Sequence, residues 1–313
     1  GPELAGKSLG VIGLGAIGSF IAPRLNEALG PGGFKVVAEG ARKRRLLEEG
    51  TTINGTRYVF DVADPSGACE PVDLVIVLVK HNALPQAIQD IRPLVGPDTV
   101  IVSFMNGITS EETLAEAYGW PRVIYGLSRV SVVMENHTSQ YDPDNGIFLF
   151  GEACNQGALS PRIAALAELF DRAGIRYQVP EDMVRALWLK FMANVSENQT
   201  SAVLGIPFGA WQVSDEANAL REDTMREVIA IAQKKGIDIG EQDILDQRAQ
   251  LKRIPYPNKT SMLQDLEHGR PTEVEMLAGT GIRLGRETGV PTPVNQALYH
   301  AIRVLEEKNA GKI

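Results

Sequence analysis

Cysteine and histidine are scarce in this sequence, and neither is grouped. Only two cysteines, Cys69 and Cys154, occur among the 313 residues, and they do not form a CxxC pair. This spacing argues against a disulfide scaffold and against a cysteine zinc site. The four histidines show no HExxH or HxH grouping, so a histidine metal site is not expected either. We therefore predict no metal centre.

The chain also lacks an excess of positive charge and any long apolar run. The formal net charge is −8, which disfavours a nucleic-acid partner. No run of about 18 apolar residues occurs, so we expect no membrane span. The first residues do not read as a basic segment followed by an apolar segment and a cleavage site. These observations predict a cytoplasmic protein that binds neither nucleic acid nor membrane.

The composition is otherwise that of an ordinary globular protein. Apolar residues make up 44% of the chain and charged residues 22%, close to the usual values for soluble domains. At roughly 150 residues per domain, the length favours two domains. A chain of this size can bury a large core without disulfides or metals.

The first half of the sequence alternates short apolar runs with helix-length segments. The apolar runs are Leu9–Ile12, Phe34–Ala38, Leu74–Val79 and Val100–Phe104. Uniformly apolar, β-branched runs are typical of parallel strands that are buried on both faces. Strands and helices in alternation form a parallel sheet with right-handed crossovers. Residues 1–180 are therefore predicted to form an α/β Rossmann-type domain with a mostly parallel, doubly wound sheet.

The pattern changes after Pro180-Glu181-Asp182, where strand-like runs largely end. Helix-compatible segments follow at Met183–Leu204, Ala217–Lys235, Glu241–Lys252, Ser261–His268, Thr272–Thr288 and Val294–Glu307. Without strands to cover, such helices pack on one another. The prediction is an all-α C-terminal domain over residues 181–313.

A glycine-rich turn joins the first predicted strand to the first predicted helix. In the pattern GxGxxG the first glycine permits a tight turn, the second lets backbone approach a pyrophosphate, and the third allows close helix–strand packing. The N–H groups at the start of the helix then bind the anion. The predicted cofactor-binding residues are Gly13, Leu14, Gly15, Ala16, Ile17 and Gly18. The alternative is a glycine-rich turn in another kind of α/β domain.

The residues after the second predicted strand give two opposing signals for the coenzyme. Glu39 lies where an acidic residue usually accepts the ribose 2′-hydroxyl of NAD. The basic residues 42–45 follow directly, and an arginine there can bind the 2′-phosphate of NADP. Arg42 is the predicted phosphate contact because it lies nearest the strand end. We predict NADPH, and Glu39 keeps NADH open.

Two polar residues follow the next two predicted strands. Lys80 comes directly after the run that ends at Val79, and Asn106 comes just after the run that ends at Phe104. In open parallel sheets, ligands bind beyond the carboxyl ends of the strands. Both residues are therefore candidate ligand contacts. The alternatives are a surface lysine and an asparagine in a turn.

A polar stripe runs along an otherwise apolar segment of the second half. Lys190, Asn194 and Asn198 are four residues apart, and this spacing aligns them on one helix face. Their neighbours are mostly apolar, so we expect the stripe to point into a protected cleft. Desolvation would lower the pKa of such a lysine and suit it to proton donation near neutral pH. The alternative is a polar face that contacts water.

A second polar cluster lies near the C-terminus of the sequence. It contains Asn258 and Ser261 at the start of a predicted helix, with Asp265 one turn further on and Glu273 after a short turn. From the residues alone, Ser261 and Asp265 read as helix-start residues and Glu273 as an acid in the first turn of a helix.

Taken in order, these motifs resemble the ketopantoate reductase (2-dehydropantoate 2-reductase) family. The residues that carry the resemblance are the glycine turn, Val79-Lys80, Asn106-Gly107 and the segments 190–198, 258–265 and 272–275, which together span nearly the whole chain. The resemblance implies a Rossmann domain joined to a helical domain, with the active site in the cleft. It also implies NADPH, a small 2-oxo acid substrate and a role in pantothenate biosynthesis, and it leaves a homodimer open.

The same resemblance implies roles for individual residues. Lys190 would be the catalytic general acid, and Glu273 would lie at the nicotinamide end of the cofactor and orient Lys190. Asn106 would contact both cofactor and substrate. The implied substrate ligands are Asn106, Asn194, Asn198, Asn258 and Ser261.

Two departures keep a second enzyme class open. Family members often carry an arginine near the position of Glu39, and the turn Gly205–Gly209 is apolar where relatives can offer a polar contact to the pantoate tail. The alternative is a D-2-hydroxy acid dehydrogenase that acts on branched or aromatic 2-oxo acids with NAD(P)H. A non-enzymatic nucleotide sensor is disfavoured, because it would not need to keep Lys190 and Glu273.

Overall fold

The chain forms two compact units, which divide between Val184 and Arg185. The computed structural model describes residues 7–313. The N-terminal unit contains two β-sheets and the C-terminal unit is helical. Within the described residues, no helix combines the length and apolar character needed to cross a membrane.

The N-terminal unit alternates strands and helices. Its strands are β1 (Leu9–Ile12), β2 (Phe34–Val37), β3 (Thr51–Ile53), β4 (Thr56–Tyr58), β5 (Val62–Ala63), β6 (Leu74–Val77), β7 (Val100–Ser103), β8 (Val123–Val130), β9 (Val133–Glu135), β10 (Thr138–Gln140), β11 (Gly146–Gly151) and β12 (Tyr177–Gln178). Its helices are α1 (Ala16–Leu29), α2 (Gly40–Glu48), α3 (Leu84–Asp90), α4 (Ser110–Tyr118) and α5 (Pro161–Arg172).

Eight of these strands form one large sheet in the order β12-β11-β8-β7-β6-β1-β2-β5. Neighbouring strands are parallel except β8 and β11, which are antiparallel. The first strand, β1, lies in the interior of the sheet. The next strands are added on one side of it, beginning with β2, and later ones on the other side, beginning with β6 and β7. This topology confirms the predicted Rossmann-type fold with a mostly parallel, doubly wound sheet.

Both faces of the large sheet are covered, because its central strands are buried along their whole length. Val11 and Ile76 belong to one core cluster, whereas Ile12 and Val77 belong to another. Successive strand residues point to opposite faces, so each face has its own core. One of the two cores contains a group of packed phenylalanines: Phe20, Phe104, Phe148, Phe150 and Phe170.

The structure differs from the sequence prediction at short elements. A second sheet, in the order β4-β3-β10-β9, was not predicted, because strands of three residues are too short to give a periodic pattern. The helix-length segment between β6 and β7 forms α3 only as far as Asp90 and continues as a 3-10 turn, Arg92–Leu94. Pro93 explains the break, since it has no N–H and clashes with the preceding helical turn.

The C-terminal unit confirms the predicted all-α class. Its helices are α6 (Met183–Leu204), α7 (Ala210–Val213), α8 (Asp215–Lys234), α9 (Glu241–Leu251), α10 (Ser261–Glu267), α11 (Thr280–Thr288) and α12 (Pro293–Asn309). A side chain of α8 caps the start of α12. The Glu227 carboxylate in α8 accepts from the backbone N–H groups of Val294 (2.8 Å) and Asn295 (3.0 Å) in α12. An anion at these unpaired N–H groups stabilises the start of α12.

The segment predicted as one helix over Thr272–Thr288 begins differently in the structure. A wide π-helical turn occupies Glu275–Gly279, and α11 follows it directly. A Cβ at position 279 would lie 2.5 Å from a carboxylate oxygen of Glu275, so a larger residue there would displace the Glu275 side chain. Such turns are rare and occur often next to functional residues.

The phenylalanine group should dominate the stability of the N-terminal unit. Phe170→Ala is expected to lower the free energy of unfolding by about 3–5 kcal/mol, because the ring is fully buried and contacts Phe104, Phe148 and Phe150. Chemical denaturation followed by circular dichroism measures this loss. Leu47→Ala, at a side chain that is 44% exposed, should cost less than about 0.5 kcal/mol. Equal losses in the two variants would contradict this account of the core.

Candidate active site

The glycine turn of the N-terminal unit is shaped by close backbone packing. Gly13 has φ +103°, and a Cβ there would lie 2.5 Å from the carbonyl oxygen of Leu78. A Cβ on Gly18 would overlap the carbonyl oxygen of Gly13, whereas one on Gly15 would meet no atom within 4 Å. Two of the glycines are therefore required by the protein's own packing, and the middle one faces open space.

The start of α1 has the features of an anion site. Gly15 is its N-cap residue and gives no side-chain cap, and the first turn holds no acidic residue. The first N–H groups of a helix have no partner within the helix, and the helix dipole adds positive potential there. Backbone N–H groups beside the open space at Gly15 suit a phosphate. This part of the chain thus fits the pyrophosphate of a dinucleotide.

The strand register brings three chain segments to one edge of the large sheet. Ile12 at the end of β1 pairs with Val77 in β6, and Val77 pairs with Ser103 in β7. The glycine turn and the segments that follow β6 and β7 therefore leave the sheet at the same edge. Lys80 is exposed in the second of these segments, and Asn106 is half-buried in the third. Both lie where open parallel sheets bind ligands.

Glu39 and Arg42, which give opposing predictions for the coenzyme, both follow the end of β2. Glu39 is the exposed N-cap residue of α2, and its side chain makes no cap hydrogen bond. Lys43 is engaged elsewhere, in an ion pair of 2.8 Å with Asp64. The hydrogen bond from Lys43, followed by those from Ser66, lowers the pKa of Asp64 to about 2. Arg42 remains exposed beside Glu39.

In the C-terminal unit, the predicted polar stripe lies on a helix that is otherwise largely buried. Lys190 and Asn194 are half-buried, and Asn198 is only 8% exposed. The apolar neighbours Leu187, Trp188, Phe191, Met192 and Val195 are each at most 5% exposed. The stripe on α6 therefore sits among core residues and is not an ordinary solvent-facing side of a surface helix.

Asn198 connects the stripe to the second polar cluster. Its side-chain oxygen accepts from the Ser261 hydroxyl and from the backbone N–H of Met262, both at 3.1 Å. Thr260 supplies the side-chain cap of α10 through the N–H of Leu263, so Ser261 is not the capping residue. The asparagine thus holds the exposed Ser261 and the first turn of α10 against α6.

Asn258 is held by its backbone. Its carbonyl oxygen accepts from the Phe208 N–H at 2.8 Å, and the carbonyl oxygen of Tyr256 accepts from the Gly209 N–H at 3.0 Å. A Cβ on Gly209 would overlap the Tyr256 ring, so the two segments pack tightly. The backbone of Asn258, whose side chain is exposed, is therefore joined to the apolar turn Gly205–Gly209.

The two acidic residues of the second cluster have different surroundings. Asp265 is bound by Arg270 at 2.8 Å, which gives it a structural partner. Glu273 is half-buried and interacts with other residues, directly before the π-helical turn. No group of three or more histidine, cysteine, aspartate or glutamate side chains that could hold a metal occurs within residues 7–313.

Two buried charged groups were not singled out from the sequence. Arg221 is fully buried and lies 3.4 Å from Glu197 and 3.6 Å from Glu222, which makes it a core ion-pair residue. Glu111, in the first turn of α4, is 2% exposed, and burial raises its pKa to about 7. In the sequence it reads as an ordinary acid at a helix start, and no local signal gives its burial.

Comparison with known protein families covers most of the chain. The family described as ketopantoate reductase PanE/ApbA matches residues 9–154, and the C-terminal ketopantoate reductase PanE/ApbA family matches residues 182–306. The first match contains the glycine turn, Lys80 and Asn106, and the second contains Lys190, the asparagines and Glu273.

Individual proteins agree with the family match. A 2-dehydropantoate 2-reductase of Mesorhizobium japonicum is 30% identical over 94% of this chain and 96% of its own length. The structure of 2-dehydropantoate 2-reductase from Methylococcus capsulatus has a TM-score of 0.81 at 28% identity, over 97% of this chain and 98% of that one. D-mandelate dehydrogenase with NADH and anilino(oxo)acetate shares the fold, with a TM-score of 0.85 at 20% identity over 97% and 99% of the two chains. The chain is an oxidoreductase of the ketopantoate reductase family.

Proposed function

We propose that this protein reduces 2-dehydropantoate to (R)-pantoate with NADPH, as a cytoplasmic enzyme of pantothenate biosynthesis. The observation that carries the proposal is the half-buried amine of Lys190 in line with two asparagines on a helix whose other faces are core. Such a site supplies one cation and several neutral hydrogen-bond donors, which suits a small 2-oxo acid.

The N-terminal unit supplies the cofactor half of the proposed site. The turn from Gly13 to Gly18 would hold the pyrophosphate, since it combines an open middle glycine with helix N–H groups. Arg42 would bind the 2′-phosphate of NADPH, because a guanidinium matches phosphate geometry. Lys80 and Asn106 would contact the cofactor at the same sheet edge. When bound, the reduced nicotinamide supplies the hydride that the reduction requires.

Lys190 would act on the substrate oxygen. As the keto carbon accepts hydride, negative charge develops on the ketone oxygen, and a nearby ammonium group stabilises that charge. The ammonium then gives its proton to the oxygen and the alcohol is formed. Glu273 would orient Lys190, so that the amine faces the reacting carbonyl.

Neutral side chains would hold the rest of the substrate. Asn194, Asn198, Asn258 and Ser261 offer amide and hydroxyl donors to a carboxylate or hydroxyl without adding charge. The Asn198 oxygen is already bonded to Ser261 and Met262, so only its amide N–H groups are suited to donate to a ligand. Asn106 would contact substrate as well as cofactor.

Lys190→Ala tests the general-acid role. Turnover with 2-dehydropantoate should fall about 10²–10⁴-fold, the usual contribution of a positioned general acid, while cofactor binding is retained because the glycine turn is unchanged. Stopped-flow or steady-state kinetics and a fluorescence titration with NADPH measure the two effects. Lys234→Ala, on the exposed surface of α8, is the matched control. Turnover equal to that of the control would refute the assigned role.

Arg42→Ala tests the coenzyme assignment. The variant should bind NADPH about tenfold or more weakly, since it loses a charge-assisted hydrogen bond to phosphate, while its affinity for NADH stays close to that of the wild type. Titration calorimetry with both coenzymes gives the ratio. Arg44→Ala, at an exposed position of the same helix, is the control. Equal weakening of both coenzymes would mean that Arg42 does not contact the 2′-phosphate.

One observation favours a second candidate activity. The backbone N–H of Phe208, in the apolar turn Gly205–Gly209, donates to the Asn258 carbonyl oxygen, so an apolar turn is joined to a proposed substrate ligand where a hydroxylated pantoate tail would prefer a polar contact. This arrangement favours a D-2-hydroxy acid dehydrogenase that reduces branched or aromatic 2-oxo acids with NAD(P)H.

A substrate panel decides between the two activities. Our proposal expects the highest kcat/KM with 2-dehydropantoate, compared with 2-oxoisocaproate and phenylglyoxylate under the same conditions. A preference of about 100-fold for either of the latter two would replace the proposed substrate, because a pocket difference of roughly 2–3 kcal/mol suffices for such a ratio.

A further inference from the structure

The loop that carries Asn106 is closed at its base by two serines. Ser103 is the last residue of β7 and Ser110 is the first residue of α4, and their hydroxyl oxygens lie 2.8 Å apart. The Ser103 hydroxyl also accepts from the backbone N–H of Met105 at 3.3 Å. Residues 104–109 therefore form a short loop that contains Asn106, and the hydrogen bond between Ser103 and Ser110 joins its two ends.

A buried carboxylate stands behind this pair of serines. One oxygen of Glu111 accepts from the Ser110 hydroxyl at 3.0 Å, and the other accepts from the Gly126 N–H in β8 at 3.4 Å. The side chain is 2% exposed. Glu111 thus connects the start of α4 to the neighbouring strand and to the base of the Asn106 loop.

The ionisation state of Glu111 determines the direction of the hydrogen bonds that connect it, through the two serines, to Met105. An ionised carboxylate only accepts, and each serine hydroxyl has a single proton to donate. Ser110 therefore donates to Glu111, and Ser103 must donate to Ser110. This leaves a lone pair of Ser103 for the Met105 N–H. If Glu111 is protonated and donates instead, the direction can reverse and the Ser103 proton is left without its acceptor.

Burial brings the pKa of Glu111 into the pH range in which enzymes work. Burial raises its pKa to about 7, against the lowering effect of hydrogen bonds from its own backbone, Ser110 and Gly126. Glu112 on the same helix adds a repulsive charge. Tyr125 on β8 has a pKa that is raised by desolvation and then by Glu111 and Glu112, so it is neutral near pH 7. Glu111 is therefore ionised above about pH 7 and protonated below it.

We propose that Glu111 is a positioning residue: through Ser110 and Ser103 it holds the base of the loop that presents Asn106. The consequence for catalysis rests on the proposed function, in which Asn106 contacts cofactor and substrate. The ionised carboxylate keeps the loop in one geometry, and its protonation loosens the loop. Activity therefore gains a dependence on pH that originates outside the reacting groups.

Three variants separate this role from a general loss of stability. Glu111→Gln keeps the size of the side chain but is neutral at every pH. Ser103→Ala leaves Glu111 bonded to Ser110 and Gly126 and removes the hydrogen bonds that join Ser103 to Ser110 and to Met105. Glu116→Gln, at an exposed position of the same helix, is the matched control. Thermal unfolding of each variant shows that it is folded at the assay temperature.

The kinetic experiment compares pH profiles. The ratio of wild-type to Glu111→Gln kcat/KM for 2-dehydropantoate should rise about tenfold between about pH 6 and pH 8, the size of one hydrogen bond to a charged group. Ser103→Ala should reduce the activity at pH 8 in the same way, and Glu116→Gln should give a flat ratio. A wild-type to Glu111→Gln ratio that stays constant over this range would overturn the proposed role.

Hydrogen exchange tests the loop without any substrate. At a fixed pH near 8, Glu111→Gln and Ser103→Ala should each raise amide exchange in residues 104–109 by about tenfold, as expected when one buried hydrogen bond is lost, with no change in Glu116→Gln. Unchanged exchange in Ser103→Ala would refute the positioning role even if the enzyme is active. If the wild type reduces none of the panel substrates, the proposed function fails, and the exchange result still decides how the loop is held.

Discussion

The contact between Gly13 and the carbonyl group of Leu78 is the constraint on which the glycine turn of the N-terminal unit depends. Gly13 has φ +103°, and a Cβ there would lie 2.5 Å from the Leu78 carbonyl oxygen, so there is no room for a side chain. This contact lets the chain turn sharply out of β1, so that α1 starts beside the sheet edge, where a Cβ on Gly15 would meet no atom within 4 Å. The proposed anion site would therefore be a product of backbone geometry, and side chains would contribute specificity around it.

The polar stripe of the helical unit has a different basis, the cost of burying polar groups. A polar group left unpaired in a core is unfavourable by roughly 1–3 kcal/mol, and α6 carries polar side chains among apolar neighbours, so these side chains need partners. Asn198 meets this requirement by accepting two hydrogen bonds from the start of α10. The same bonds fix the position of Ser261. The hydrogen bonds that satisfy the buried amide oxygen of Asn198 therefore also organise the second polar cluster.

Buried charge is handled in two ways in this fold. Arg221 has the opposite charges of Glu197 and Glu222 close by, although burial still lowers its pKa. Glu111 has hydroxyl and backbone donors, and burial raises its pKa to about 7. Nearby opposite charges reduce the cost of desolvation, and an arginine is not deprotonated in proteins. The Glu111 carboxylate instead titrates in the range in which enzymes work.

The sequence by itself determined the features that repeat along a single element. The glycine spacing after β1 and the alignment of Lys190, Asn194 and Asn198 on α6 follow from local geometry, and they led to the family and the fold class. The tertiary structure decided which partners these residues have. Lys43 is occupied by Asp64, Ser261 is held by Asn198 from 63 residues away, and Glu111 is enclosed beneath the Asn106 loop. Local spacing fixes the direction of a side chain, but burial and hydrogen-bond partners depend on distant segments that only folding brings together.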